Sequence, residues 1–228
     1  MTFDEAMKTL EAWGSESNRK IYQRHGAGPS VFGVTFGNLE KLRAKVGRDT
    51  DLAKMLWASG NADARCLATM IADPAQLTED ELDVWAASID YHVLSDLFSR
   101  NVVSLSPFGQ SRMEKWMLSP HDQTCQAAWN LLAIQATHEA ALDDVYFQAH
   151  LETIERRIGM AKNRTKHAMN GALIAIGNRN EALRKLALAA AGRIGPVEVD
   201  HGDTECHTPS ALEQLSRSQV RRKAAASG

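Results

Sequence analysis

The chain has 228 residues, of which 44% are hydrophobic and 24% charged, with a net charge of −2. This composition is typical of a folded globular protein and excludes an intrinsically disordered one. No window approaches the roughly 18 uninterrupted apolar residues of a membrane span, so we expect no membrane partner. The acidic N-terminus is unlike a secretory signal. The widely spaced Cys66, Cys125 and Cys206 favour free thiols and a reducing, cytoplasmic location.

The small net charge hides an asymmetry along the chain. Residues 1–150 carry 13 Lys and Arg against 20 Asp and Glu, a balance of −7. Residues 151–228 carry 13 against 8, a balance of +5. A chain that is basic only in its second half can present a positive face without a basic isoelectric point. Chance segregation of solvated charges accounts for the same numbers equally well.

Apolar residues recur three and four positions apart along almost the whole chain, which predicts an all-α protein. Capping-box signals start two of the helices, one at Thr2 with Glu5 and one at Thr78 with Glu81. The predicted helices cover 2–13, 15–24, 36–46, 49–58, 61–72, 78–89, 91–103, 109–117, 121–137, 140–159, 163–177, 179–193 and 208–224.

Two stretches interrupt this helical pattern. The segment "RHGAGPSVFGVTF" (24–36) has three glycines and a proline, which are typical of irregular backbone. Residues 194–211 alternate valines with charged residues, and we expect an extended arm there. Residues 212–228 are predicted to form a C-terminal helix that ends in a mobile tail.

The helical segments show a loose internal repeat. "ARCLATMIA" (64–72), "QAAWNLLAIQA" (126–136) and "KHAMNGALIAIG" (166–177) each have a polar start, small residues on one side and a Leu/Ile/Met stripe on the other. Paired helices with a period of about 40 residues indicate HEAT-like stacking. We therefore predict one domain over 1–228, an α-solenoid curved as a right-handed superhelix of antiparallel helix pairs. An irregular helical bundle is the alternative.

The segment 88–100, "SIDYHVLSDLFSR", carries a polar pair on a helix. Leu94, Leu97 and Phe98 fall on one side, and His92 and Asp96, four residues apart, fall nearly opposite. The concave side of a solenoid is where polymers or partner proteins usually lie. One interpretation therefore places Asp96 in a functional groove. The alternative interpretation is structural, with the Asp96 carboxylate capping a neighbouring helix or pairing with Arg65 or Arg100.

Equivalent positions of a solenoid's repeats line one surface, so we expect one strip to carry Arg65, Asp96, Gln126 and His167. A buried Arg–Asp pair that ties two repeats together is an equally good interpretation of Arg65.

A basic cluster precedes one of the repeated helices. Lys162, Arg164 and Lys166 lead into a helix start, whose free amide groups and dipole also favour anions. Cations beside a helix N-terminus suit a phosphate backbone, although a solvated loop would have the same sequence. His201 and Cys206 share a loop with carboxylates, but their spacing matches no zinc motif, so we expect neither a metal nor a cofactor.

Several segments in this order carry a family resemblance. They are "YQRHGAGPSVFGV" (22–34), "NADARCLATMIADP" (61–74), "IDYHVLSDLFS" (89–99), "AAWNLLA" (127–133), "NRTKHAMNGALIAIG" (163–177) and "VDHGDTECHTPSA" (199–211). Together they resemble the DNA alkylation repair family, the AlkD-like HEAT-repeat proteins. The resemblance implies an all-helical solenoid whose positively charged concave face holds duplex DNA.

The founding branch of that family is a monofunctional glycosylase that removes N3- and N7-alkylated purines without flipping the base into a pocket. A carboxylate beside the sugar stabilises the developing oxocarbenium cation and places a water. The family's catalytic helix has a Trp followed four residues later by an Asp, and the matching positions here are His92 and Asp96. The family's next basic residue falls at Gln126 or Ala127, and its second aromatic falls near Gly171, so only the carboxylate is kept.

Three functional hypotheses follow. The first is a DNA alkylation repair protein that excises alkylated purines through Asp96, with His92 beside it. The second is a noncatalytic binder of duplex or branched DNA, and the third is a HEAT-type protein-interaction scaffold. We expect a monomer. The predicted DNA contacts are Arg65, Gln126, Lys162, Arg164, Lys166 and His167.

Overall fold

The computed structural model describes residues 1–217. Its helices are α1 (Phe3–Trp13), α2 (Glu16–Arg24), α3 (Phe36–Val46), α4 (Thr50–Ala58), α5 (Ala62–Ile71), α6 (Glu79–Ala87), α7 (His92–Asn101), α8 (Gly109–Trp116), α9 (Asp122–His138), α10 (Asp144–Arg157), α11 (Asn163–Arg179) and α12 (Glu181–Ile194). A last helical segment covers 211–217.

The predicted all-α class is confirmed. Among residues 1–217 the only β interaction is a single bridge between Gly14 and Val34. Both predicted capping boxes form, at Thr2 with Glu5 and at Thr78 with Glu81. Within the described part of the chain, no helix combines the length and the apolar character needed to cross a membrane.

The helices pack in two rows. In the first row α3, α5, α7, α9 and α11 each pack against the next in that order. In the second row α4 packs on α5, α8 packs on α9, and α10 and α12 pack on α11. This is the stacking of successive helix pairs that the repeated sequence pattern predicts for a solenoid.

Aromatic rings fix the buried side of α7. Phe98 is fully buried and lies against both Trp57 and Trp85, whose rings stack with centroids 4.2 Å apart. Leu94 and Leu97 on the same side are also buried, as the sequence predicts. Because these residues anchor one side of α7 in the core, His92 and Asp96 on the other side turn away from it.

Small side chains let the first-row helices approach closely. Ser95 and Ser99 of α7 are fully buried, and the Ser95 hydroxyl donates to the α9 carbonyl of Gln123 at 2.8 Å. The Ser99 hydroxyl is shared between the Ser95 carbonyl at 2.8 Å and the α9 carbonyl of Ala127 at 3.2 Å. A larger residue at either position would push α7 away from α9, because protein interiors are packed to crystal-like density. The spacing of α7 and α9 is therefore set by these two serines.

A buried carboxylate holds the loop between α2 and α3. Asp63 of α5 is 2% exposed, and its oxygens accept the backbone N–H groups of Phe32, Gly33 and Val34 at 2.6, 3.0 and 3.0 Å. These contacts attach the irregular 25–35 segment to the first row. They thereby position the end of α2, which carries His25.

Some predicted boundaries shift. The helix expected over 140–159 covers Asp144–Arg157, because the side chain of Asp143 accepts the Tyr146 N–H and starts the helix there. The last helix, expected over 208–224, begins at residue 211, where Ser210 caps it. Residues 195–210 form neither helix nor strand. The predicted end of the helix and the tail over 218–228 lie outside the described residues.

We expect Asp63→Ala to lower the free energy of unfolding by about 3 kcal/mol, because three backbone N–H groups then lose a charged acceptor. Chemical denaturation measures this change. The matched control is Asp51→Ala in the exposed first turn of α4, which we expect to cost under about 1 kcal/mol. Equal effects of the two substitutions would contradict the role given to Asp63.

Candidate functional site

The carboxylate of Asp96 is held by two amides of the neighbouring helix. Its Oδ1 accepts from Gln126 Nε2 and from Asn130 Nδ2, each at 2.8 Å. Gln126 Nε2 also donates to the backbone carbonyl of His92 at 3.1 Å. Two neutral donors from α9 therefore fix the orientation of a carboxylate on α7 without neutralising its charge.

Asp96 lies at the surface in a position open to solvent. The residue is exposed at the surface, yet protein surrounds its carboxyl group on most sides, and this burial raises the pKa of Asp96. The amides of Asn130 and Gln126 and the charges of Arg100 and Arg164 act in the opposite direction. No carboxylate–cation pair within 4.0 Å involves Asp96 among residues 1–217, so the alternative pairing with Arg65 or Arg100 is wrong.

His92 lies among other cationic or titratable side chains. The pKa of His92 is lowered to about 4, first by burial and then by the charges of Arg164, His25, His167 and His201 in that order. The His92 ring is 6.3 Å from that of His25, measured between centroids. At neutral pH the His92 ring is therefore uncharged, and it is a weaker cation–π surface than the Trp of the family pattern.

The start of α11 is not open to an anion. The carboxylate of Asp122 in α9 accepts the N–H groups of Arg164 and Thr165 at 3.0 and 2.8 Å and the Thr165 hydroxyl at 2.8 Å. The prediction that free amides of this helix bind a phosphate is therefore wrong. What remains available there is the side chain of Arg164.

The structure separates the three predicted basic residues. On a helix with about 100° per residue, Arg164, His167 and Gly171 share one side of α11. Lys166 lies nearly opposite Arg164, on the side where Asn170 donates to the Pro209 carbonyl at 2.9 Å. Lys162 precedes the helix, and its ammonium donates to the carbonyl of Pro120 at 2.6 Å.

Arg65 ties neighbouring repeats together. Its guanidinium donates to the carbonyls of Trp57 and Ser88, each at 3.1 Å, and lies 3.6 Å from Asp90. The side chain is only 13% exposed. Arg65 thus matches the alternative interpretation, a link between repeats, because most of its donors already have protein partners.

Gln126 takes a supporting place rather than a surface one. It is 2% exposed, and its Nε2 is shared between Asp96 and the His92 carbonyl. A side chain so buried cannot reach DNA, so the prediction of a direct contact through Gln126 is replaced by a positioning role for Asp96. His167 remains partly exposed beside His201, with ring centroids 5.5 Å apart.

The sequence-based prediction of the site missed three residues: Asn130, which contacts Asp96, and His25 and His201, whose charges act on His92. Asn130 follows Gln126 by one helical turn, and this spacing was a usable signal. His25 and His201 lie far apart in the chain, and only the curvature of the fold brings them together. His201 Nε2 lies 2.9 Å from the Thr208 hydroxyl, and residues 1–217 contain no group of three His, Cys, Asp or Glu side chains arranged to hold a metal.

Open space surrounds Gly171, the position of the family's second aromatic residue. A Cβ built on Gly171 would meet no atom within 4 Å. Gly171 lines a cavity of about 930 Å³ between the second halves of α9 and α11, together with Ala136, Ala175 and Arg179. This position therefore offers room where the family pattern has a ring.

Comparison with known proteins decides the family. The family model described as DNA alkylation repair enzyme matches residues 6–215. The chain belongs to this family. The chain is also similar to two proteins of nearly equal length. These are the uncharacterized protein Lin0241 of Listeria innocua, 26% identical over 97% of this chain and 99% of its own, and the uncharacterized protein Lmo0209 of Listeria monocytogenes, 26% identical over 98% and 100%.

One solved structure resembles this DNA alkylation repair family member over nearly its full length. It is described as representing a new family of proteins related to the HEAT-like repeat DNA glycosylases with affinity for branched DNA structures. The match has a TM-score of 0.88 and 30% identity, and it covers 97% of this chain and 95% of the other. The predicted HEAT-like solenoid is confirmed.

The pKa of Asp96 tests the geometry of this network. We expect an NMR titration of the wild-type protein to give Asp96 a pKa above the ordinary value for Asp. In Asn130→Ala we expect this pKa to rise further, because one donor to the ionised form is lost. Gln148→Ala on α10, which lies in the second row, is the control and leaves the Asp96 titration unchanged. A lower pKa in Asn130→Ala would contradict the described hydrogen bond.

Proposed function

We propose that this protein is a DNA-binding repair protein that holds the DNA backbone against the exposed sides of α7, α9 and α11. We call this surface the Asp96 face, and it consists of His92, Asp96, Asn130, Arg164, His167 and Gly171. We propose this surface as the concave basic groove expected from the sequence. Membership of the DNA alkylation repair enzyme family supports DNA as the ligand.

The observation that carries the proposal is the unpaired guanidinium of Arg164. Among residues 1–217 no carboxylate forms an ion pair with Arg164, and the same is true of Arg100 and Arg157. Arg164 differs from these two in the number of titratable site residues that its charge affects. Its charge acts on Asp96, His92, His167 and His201. A cation left without an internal partner at the centre of a polar surface suits an external anion, and DNA phosphate is the anion that this family meets.

The class of DNA follows from the similar solved structure. That protein belongs to a family described as having affinity for branched DNA structures. A junction presents phosphates in several directions, which suits contacts from several helices of one row. Branched DNA is therefore the ligand that we place first, with linear duplex second.

Binding of a four-way junction, measured by fluorescence anisotropy at two salt concentrations, tests this proposal. We expect affinity to fall with salt, and Arg164→Ala to weaken binding about tenfold and to reduce the salt slope by about one. Lys185→Ala on the exposed side of α12 is the matched control and leaves both quantities unchanged. Binding that does not depend on salt or on Arg164 would contradict the proposal and favour a protein-interaction scaffold.

A second function, excision of alkylated purines, is favoured by the geometry of Asp96. The carboxylate is oriented by two amides, is reached by water and has no cation paired with it. Such a group can stabilise the positive charge that develops on the sugar as an N3- or N7-alkylated purine leaves. In the ground state the same negative charge repels backbone phosphates, so it disfavours binding and suits a chemical role.

Release of 7-methylguanine from duplex DNA under single-turnover conditions tests this second function. If Asp96 performs the chemistry, Asp96→Asn lowers the rate about 100-fold or more, because the charge is lost while the acceptor for Gln126 and Asn130 stays. Asp80→Asn, in the exposed first turn of α6, is the control with no expected effect. A rate equal to that of DNA alone, or a rate unchanged in Asp96→Asn, rejects catalysis and leaves the noncatalytic DNA binder.

A further inference from the structure

A segment near the end of the described chain lies against α2, near its beginning, beside the Asp96 face. The segment 195–210, which we call the arm, crosses the start of α11, where Asn163 and Asp200 exchange two hydrogen bonds of 2.7 and 2.8 Å. The arm then reaches the end of α2. Gly202 has φ +67°, and a Cβ there would lie 3.3 Å from the Arg24 carbonyl oxygen. The arm is thus attached to α11 and lies against α2.

Histidines from four separate elements gather at this meeting point. His25 at the end of α2 and His92 at the start of α7 have ring centroids 6.3 Å apart. His167 of α11 and His201 of the arm have centroids 5.5 Å apart and nearly perpendicular planes. Arg164 lies on the same side of α11 as His167. We call these five side chains, His25, His92, Arg164, His167 and His201, the histidine cluster.

The five side chains of the histidine cluster can each carry a positive charge, and few carboxylates lie beside them. Within the described residues none of its members forms an ion pair with a carboxylate. The carboxylates that face it are Asp96 on α7, held by amides, and Asp200 on the arm, whose Oδ1 accepts the Gly202 N–H at 2.8 Å. The other titratable neighbours are Tyr91 beside His92 and His207 beside His201.

In the DNA-free protein, the surroundings of the histidine rings disfavour their charged forms. Burial is the largest cause that lowers the pKa of His92, of His167 and of His201, and the positive charge of Arg164 lowers each of them further. At neutral pH these three rings are therefore mainly neutral. An anion placed among them would favour their charged forms and raise the same pKa values.

We propose that the histidine cluster binds a backbone phosphate of DNA and that filling this site takes up protons from solution. The proposal rests on the proposed DNA-binding function and specifies where one phosphate sits. Arg164 supplies a permanent charge, and the imidazoles supply N–H donors that become charged as the phosphate enters. Proton linkage gives the direction of the pH dependence. Because the DNA-bound state holds more protons, affinity for DNA rises as pH falls through the region just below neutral.

The arm gives this site its rigidity. The Thr208 hydroxyl lies 2.9 Å from His201 Nε2, and the Thr204 hydroxyl donates to the His201 carbonyl at 2.9 Å. With the Asn163–Asp200 pair, these contacts hold His201 against α11 before any ligand arrives. Less conformational entropy is then lost when the phosphate binds.

The test is binding of a four-way junction at about pH 6 and about pH 8 at one fixed ionic strength. We expect the wild-type affinity to be about tenfold or more higher at the lower pH, since each proton taken up changes affinity by up to tenfold per pH unit. Calorimetry in two buffers of different ionisation enthalpy counts the protons directly. We expect net uptake of about one proton or more per phosphate site filled.

The variant that tests the site is His25→Gln with His167→Gln and His201→Gln. We expect it to lose most of the pH dependence, because its affinity falls more at about pH 6, where the wild-type histidines become charged, than at about pH 8. His138→Gln, an exposed histidine at the end of α9, is the matched control and keeps the wild-type pH dependence. Circular dichroism and thermal unfolding establish that each variant is folded, and the single variant His25→Gln replaces the triple one if it is not.

The outcomes separate this proposal from the proposed function. Salt-dependent binding with the same affinity at both pH values, or a triple variant with unchanged pH dependence, overturns the phosphate site while DNA binding stands. An absence of DNA binding at either pH overturns both.

Discussion

The close approach of α7, α9 and α11 is the constraint on which the site depends. Buried serine hydroxyls of α7 bond to α9 carbonyls, and Asp122 of α9 caps the start of α11. This spacing lets Gln126 and Asn130 reach the Asp96 carboxylate from the next helix, and it places Arg164 close enough to act on the same carboxylate. A looser solenoid would keep the same residues but lose their arrangement.

Asp96 and the histidine cluster have opposite electrostatic characters on one surface. A carboxylate held by neutral amides keeps its negative charge, whereas Arg164 carries the permanent positive charge of the histidine cluster. We propose that this positive charge attracts a polyanion. The histidine at the family's tryptophan position fits this picture. It contributes an imidazole ring to the cluster, where the indole ring of a tryptophan would contribute a cation–π surface. We therefore propose that histidine at this position favours phosphate recognition.

The sequence predicted the fold better than it predicted the site, for physical reasons. The period of apolar residues determines which side of α7 is buried, so the outward direction of His92 and Asp96 followed from local pattern alone. The partners of those residues come from other repeats. Nothing in the sequence of α11 shows that Asp122 occupies its N-terminal amides, and nothing near His201 shows that His25 lies close by. Such contacts depend on how tightly the repeats curve.

Contact between DNA and the site is measured most directly by an NMR titration of the full chain with a four-way DNA junction, observing the imidazole groups and the side-chain amides. We expect the signals of the His25, His92, His167 and His201 rings and of the Gln126 and Asn130 amides to shift first, while His138 stays unchanged. Shifts confined to the second-row helices, or none at all, would contradict this expectation.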